Sequence, residues 1–203
     1  MNGKLHGFTI VELVVVIVVI GILVAITTVT FNGVQRQAKN TAIIHNAEEW
    51  MKLLGIMYAR HGVIKVDIEH PQRSICLGTK DQYPDTADLD LGQCFWQAYT
   101  SDQLEDKISS IGKINMNVDT VNGFRGLQYG YDFENGIDDN KKYSLIWFSL
   151  HGEGQDCGAV AGGKVSNYEE AGDGQTTCFI DVRQQMGINP IVIMADGEAW
   201  GEV

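Results

Sequence analysis

Few side chains in this chain sit where they could do chemistry. The first is a single carboxylate, Glu12, inside the apolar run HGFTIVELVVVIVVIGILVAI, His6 to Ile26. An acidic side chain at the centre of a membrane costs roughly 3 kcal/mol, less near an interface, and one retained there usually has a partner or a task. The second set is four cysteines, Cys76, Cys94, Cys157 and Cys178, all beyond the apolar run. Their spacing within pairs is neither two nor four residues, which argues against a zinc site. Four cysteines allow three disulfide connectivities. Nearest-neighbour pairing, Cys76–Cys94 and Cys157–Cys178, closes loops of about twenty residues, each worth roughly 3 kcal/mol in the chain-entropy model. The opposing reading is four buried thiols in a reducing compartment. A membrane segment that places the domain outside the cytoplasm favours disulfides.

The remaining candidates are weaker. The acidic run DFENGIDDN, Asp132 to Asn140, clusters the hard oxygen ligands that Ca²⁺ takes, but without EF-hand spacing. It reads better as a solvated turn between two strands, and no cofactor is expected. GAVAGGKV, Gly158 to Val165, approaches a phosphate-binding P-loop, yet Val165 stands where a Mg²⁺-binding Ser or Thr belongs and no helical pattern follows. It reads as a loop. His6, His45, His61, His70 and His151 show no metal spacing, and neither G-x-S-x-G nor H-E-x-x-H occurs. The chain reads as a non-enzyme.

These residues need elements to position them. The chain has 203 residues and a formal net charge of −11, room for one membrane element and one domain of ordinary size. The charge is uneven: +2 through Arg60 and −13 from His61 onward. A domain this acidic repels phosphate backbones and anionic lipid, so general nucleic-acid binding is excluded.

Phe8 to Ile26 is long enough to cross a bilayer core as a helix. No proline interrupts the chain from Phe8 until Pro71, so the helix is free to continue. Val34, Ala38, Ile44, Ala47, Met51, Leu54 and Tyr58 form an amphipathic stripe. Between the two halves TTVTFNG, Thr27 to Gly33, has poor helix propensity, and a bend or unwinding is expected there. Lys4 on one side is balanced by Arg36 and Lys39 on the other, so the positive-inside rule is close to neutral. His61 to Tyr99 reads as irregular chain. Thr100 and Gln103 suggest a capping box for a short helix carrying Leu104, Ile108 and Ile111 and ending at Gly112. INMNVD (114–119), GLQYGYDF (126–133) and YSLIWFSL (143–150) read as an antiparallel meander, with a hairpin turn at Asn122-Gly123. TTCFIDV and PIVIMA add candidate strands near the end.

Gly7, Phe8, Thr9, Glu12 and the later IGILVAI with Gly21 together resemble the class III signal of type IV pilins and type II secretion pseudopilins. The resemblance is strong over the first thirty residues and extends in kind to the long helix. It implies a pilin-like α+β fold: a leader at 1–7, a transmembrane and filament-core helix at 8–26, its amphipathic continuation at 27–60, and an acidic β-rich head at 61–203. It implies cleavage between Gly7 and Phe8 by a membrane prepilin peptidase, which also N-methylates Phe8. Glu12 of one subunit would then meet the Phe8 ammonium of a neighbour within a helical homo-oligomer. The implied partners are that peptidase and methyltransferase, the inner-membrane assembly platform, and lipid before assembly. The implied location is the cell membrane, then the cell surface. The leading reading is a type IV pilus subunit serving attachment, twitching motility, DNA uptake or secretion. The alternatives are a type II secretion pseudopilin or minor tip pilin, a membrane-anchored extracellular binding or enzymatic domain, and a secreted protein with a conventional signal peptide.

Overall fold

The computed structural model describes residues 9–62, 64–65, 74–86, 90–95, 98–112, 120–121, 123–132, 143–158, 163–165, 174–182, 185, 187, 192–193 and 199–200. Its first element is the α-helix Ile10–His61, α1. The helix runs through Thr27 to Gly33, where the sequence suggests a break. Thr27 Oγ1 donates to the Val24 carbonyl oxygen at 3.0 Å, so the hydroxyl finds a partner one turn back without unwinding the backbone. Long helical flanks on both sides also make propagation easier than a new start.

The chain forms two compact units, residues 1–38 and 39–203. In the first, the large apolar side chains from Ile10 to Ile26 are all at least 47% exposed.

The second unit begins within α1 and continues through short strands. In chain order these are β1 (Ile64–Lys65), β2 (Ser74–Leu77), β3 (Gln93–Phe95) and β4 (Ala98–Tyr99), then helix α2 (Asp102–Ser109). They are followed by β5 (Thr120–Val121), β6 (Phe124–Arg125), β7 (Leu127–Asp132) and β8 (Tyr143–His151). The last are β9 (Gly163–Val165), β10 (Gln175–Asp181), β11 (Val192–Ile193) and β12 (Ala199–Trp200). A five-stranded antiparallel sheet runs in the order β2-β7-β8-β10-β9. The order β1-β11-β12 forms a smaller sheet in which β1 and β11 are parallel. The result is an α+β fold: a long N-terminal helix followed by an antiparallel sheet.

The sheet corrects the expected meander in its neighbours. β7 and β8 are consecutive and antiparallel, and β8 is central as its two apolar faces suggest. The strand flanking β7 is β2, drawn from the stretch read as irregular, with Ile75 opposite Tyr129 and Leu77 opposite Leu127. Three of the four β2 residues are buried, on both faces, so the strand shows no alternation of apolar and polar positions. The P-loop-like segment ends in strand β9, paired with β10, so the reading as loop is corrected for 163–165. INMNVD, 114–119, falls outside the described residues, as does most of the acidic run, 133–140. The hairpin is present with shorter arms: Thr120 faces Arg125 and Val121 faces Phe124, with Gly123 at φ +85°, as a two-residue primed turn requires.

The helix stripe is also rotated. The buried side chains of α1 are Asn40, Ile43, Ala47, Trp50, Leu54 and Met57. Val34 and Ala38 are exposed, and Ile44, Met51 and Tyr58 only border the core. Asn40 explains the offset, because it is a polar residue on the inner face and does not register in an apolar count. Its Nδ2 donates to the His151 carbonyl oxygen at 3.0 Å and to Gln155 Oε1 at 3.2 Å, while its Oδ1 accepts the His151 N–H at 2.9 Å. Asn40→Leu therefore removes both side-chain bonds to the His151 main chain at once. We expect a loss of about 2–3 kcal/mol, measured by denaturant unfolding of the purified protein.

For α2 the cap is Ser101, one residue later than expected. Its Oγ accepts the Leu104 N–H at 3.2 Å, while Thr100 is occupied in a bridge with Cys76. Leu104 and Ile108 point into the core as their spacing requires.

The loop between Cys76 and Cys94 is tied down from inside. Tyr83 is fully buried and donates its hydroxyl to the Leu77 carbonyl oxygen at 2.7 Å. Burial pushes that hydroxyl well above the ordinary tyrosine range. Arg125, from the hairpin, donates to the carbonyls of Pro84 and Gln93 at 2.7 and 2.6 Å. Gly126 completes the fit. Its φ is +63°, and a Cβ there would lie 2.6 Å from the Tyr83 hydroxyl oxygen, so a side chain is barred twice.

Candidate functional site

The start of α1 brings together the residues with the most distinctive arrangement. The first four N–H groups of any helix lack partners within it, and their summed dipole favours negative charge. Thr9, the residue before Ile10, and Glu12, in the first turn, supply the partners reciprocally. Glu12 Oε2 accepts the Thr9 N–H and the Thr9 hydroxyl, both at 2.8 Å. Thr9 Oγ1 in turn accepts the Glu12 N–H at 3.2 Å. This is a capping box. It gives Glu12 a local account: the carboxylate starts the helix as well as sitting within its apolar run. Glu12 Oε1 has no partner among the described residues. The sequence held the signal in Thr-x-x-Glu before an apolar run, and reading Glu12 only as a half of an ion pair passes over Thr9 as its capping partner. Gly7 and Phe8 lie outside the described residues.

Around this cap, fourteen large apolar side chains from Ile10 to Ile26 stand exposed. Each gains roughly 1.5–3 kcal/mol when fully buried, so together they outweigh any single polar contact. By length and composition α1 is able to cross a membrane.

The four cysteines are joined as Cys76–Cys94 and Cys157–Cys178, with Cα–Cα distances of 5.6 and 5.8 Å. All four are buried in the core. They brace the second unit and lie apart from the helix cap in sequence and in unit. The other polar clusters have structural explanations. Among the described residues no three His, Cys, Asp or Glu side chains come together to hold a metal. Glu105 is pushed above the usual carboxylate range first by burial, then by the nearby like charges of Asp102 and Asp81. His45, His61 and His151 belong to no such group; His6 and His70 lie outside the described residues.

A family model described as the prokaryotic N-terminal methylation motif matches residues 4–28, from the leader through the apolar part of α1. No curated protein and no solved structure matches the chain. The motif points to a structural subunit in place of an enzyme, and it implies processing by a prepilin peptidase and assembly into pilus-type oligomers. The apolar helix fits anchoring in a membrane before that assembly. Residues 4–28, with the Thr9–Glu12 cap inside them, are a prokaryotic N-terminal methylation motif, the class III prepilin signal of type IV pilins and pseudopilins.

Proposed function

We propose that this chain is a structural subunit of a type IV pilus filament. The observation that carries the reading is the exposed apolar helix Ile10–Ile26 with a capped carboxylate at its start, inside a methylation motif. Such a surface is stable only in lipid or against other helices. Before assembly it lies in the cell membrane; afterwards it is buried among sister helices, with the acidic heads outward on the cell surface. Cleavage after Gly7 leaves Phe8 with an α-ammonium that the peptidase methylates. One oxygen of Glu12 is held by Thr9, and Oε1 is open to the ammonium of a neighbouring subunit. A buried pair of this kind adds little net affinity but strongly disfavours any register that leaves the carboxylate alone. Apolar burial supplies the affinity, and the pair selects the docking position.

The test is chemical. Intact mass and N-terminal analysis of the surface protein should show a chain that starts at N-methylated Phe8. A terminus at Met1, or one near Thr27, would overturn the proposal and favour an uncleaved anchor or a conventional signal peptide.

A further inference from the structure

Some buried polar side chains of the second unit are well satisfied, while others, such as Arg125 at its Nε, keep an atom with no partner among the described residues. Asn40 makes three hydrogen bonds. Thr176 donates its hydroxyl to the Gly152 carbonyl oxygen at 2.7 Å and accepts the Gln155 N–H at 2.9 Å. On the opposite face of the β8–β10 ladder the pattern fails. Ser149 lies directly across from Thr177, and Gln175 is two residues along the same strand, across from His151. Side chains two apart on a strand share a face, so these three form one patch. They are only 3%, 5% and 8% exposed. Ser149 Oγ, Thr177 Oγ1, and both Gln175 Oε1 and Nε2 have no hydrogen-bond partner among the described residues. The next rung is apolar, Trp147 against Phe179, with ring centroids 6.2 Å apart.

Leaving one such group dry and unbonded is costly, and four such atoms in one place multiply that cost. We propose that this patch is a built hydration site, in which ordered water bridges the Ser149 and Thr177 hydroxyls and bonds the Gln175 amide. The chemistry selects water over other occupants. The patch offers donors and acceptors together, as a water molecule needs for its two to four bonds. The atoms without partners belong to two hydroxyls and one amide, neutral groups that neither compensate an anion nor ligate a transition metal as a carboxylate, thiolate or imidazole does; His151, across from Gln175, borders the patch on this face. The two hydroxyls are directly opposed yet not bonded to each other, and a single water between them is able to bond both.

The sign of a stability change tests this on the full-length protein in detergent. Thr177→Val preserves shape and removes the hydroxyl, and Ser149→Ala does the same with little loss of volume. If water is bound, each lowers Tm by about 2–4 °C, and the pair together lowers it by less than the sum, because both hydroxyls hold the same water. If the patch is dry, each substitution removes an orphaned group, and Tm stays level or rises; that result overturns the proposal. Should either variant fail to fold, a high-resolution map of the wild-type protein decides. Density within hydrogen-bonding distance of both Ser149 Oγ and Thr177 Oγ1 supports the site, and its absence there refutes it.

Discussion

If the chain assembles as proposed, Glu12→Leu should leave the protein inserted in the membrane and cleaved after Gly7, but without filaments. Insertion survives because the substitution makes an already apolar helix more so. Assembly fails because the ammonium of Phe8 loses the carboxylate that would accept it, and a buried pair broken on one side costs about 3–5 kcal/mol. The cap complicates the experiment, since Leu also removes the acceptor for the Thr9 N–H and hydroxyl. Glu12→Gln separates the two roles. A glutamine still closes a capping box but carries no charge. Filament yield, counted by electron microscopy against membrane-bound cleaved protein, should collapse in both variants. Near-normal filaments from Glu12→Gln with none from Glu12→Leu would assign Glu12 to helix capping alone. Normal yield from both would remove it from assembly altogether.

A chain that starts at Val34 should behave in the opposite way: soluble, folded, oxidised at both cysteine pairs, and unable to polymerise. It retains every helix residue of the buried face, from Asn40 to Met57, and the whole second unit, which begins at Lys39. It loses Glu12 and the exposed apolar side chains from Ile10 to Ile26. Gel filtration, non-reducing peptide mapping and filament assembly assays check the three properties. A chain that starts at Met51 should aggregate, because it lacks Asn40, Ile43, Ala47 and Trp50 and uncovers the core they close. Polymerisation of the Val34 chain into native filaments would show that the apolar helix is not what joins the subunits.

The parts of this protein that could be read from its residues are those governed by neighbours in the chain. Apolar composition over nineteen positions specifies a helix able to cross a membrane, whatever the rest of the fold does. Gly7, Phe8 and Glu12 lie within residues 4–28, which match the methylation motif. Asn122-Gly123 marks a hairpin because only certain residues accept the turn's dihedral angles, and the β5–β6 pair closes around it. Leu104 and Ile108 announce the inner face of α2 by their spacing. Even the Thr9–Glu12 box was legible, since both halves lie within one turn.

Tertiary structure decided what depends on distant partners. Strand β2 exists because β7 lies fifty residues away to pair with it; its four residues carry no period of their own. Thr27 to Gly33 remains helical against its propensity, since the helix on either side makes continuing easier than stopping. The inner face of α1 is centred on Asn40, Ile43, Ala47 and Trp50, not on the line through Val34 and Ala38. What selects it is the His151 backbone and the Gln155 side chain, more than a hundred residues on, which only the folded chain brings to Asn40. Hydrophobic spacing counts apolar side chains, and it has no means of seeing a polar one whose partners are supplied by another part of the chain.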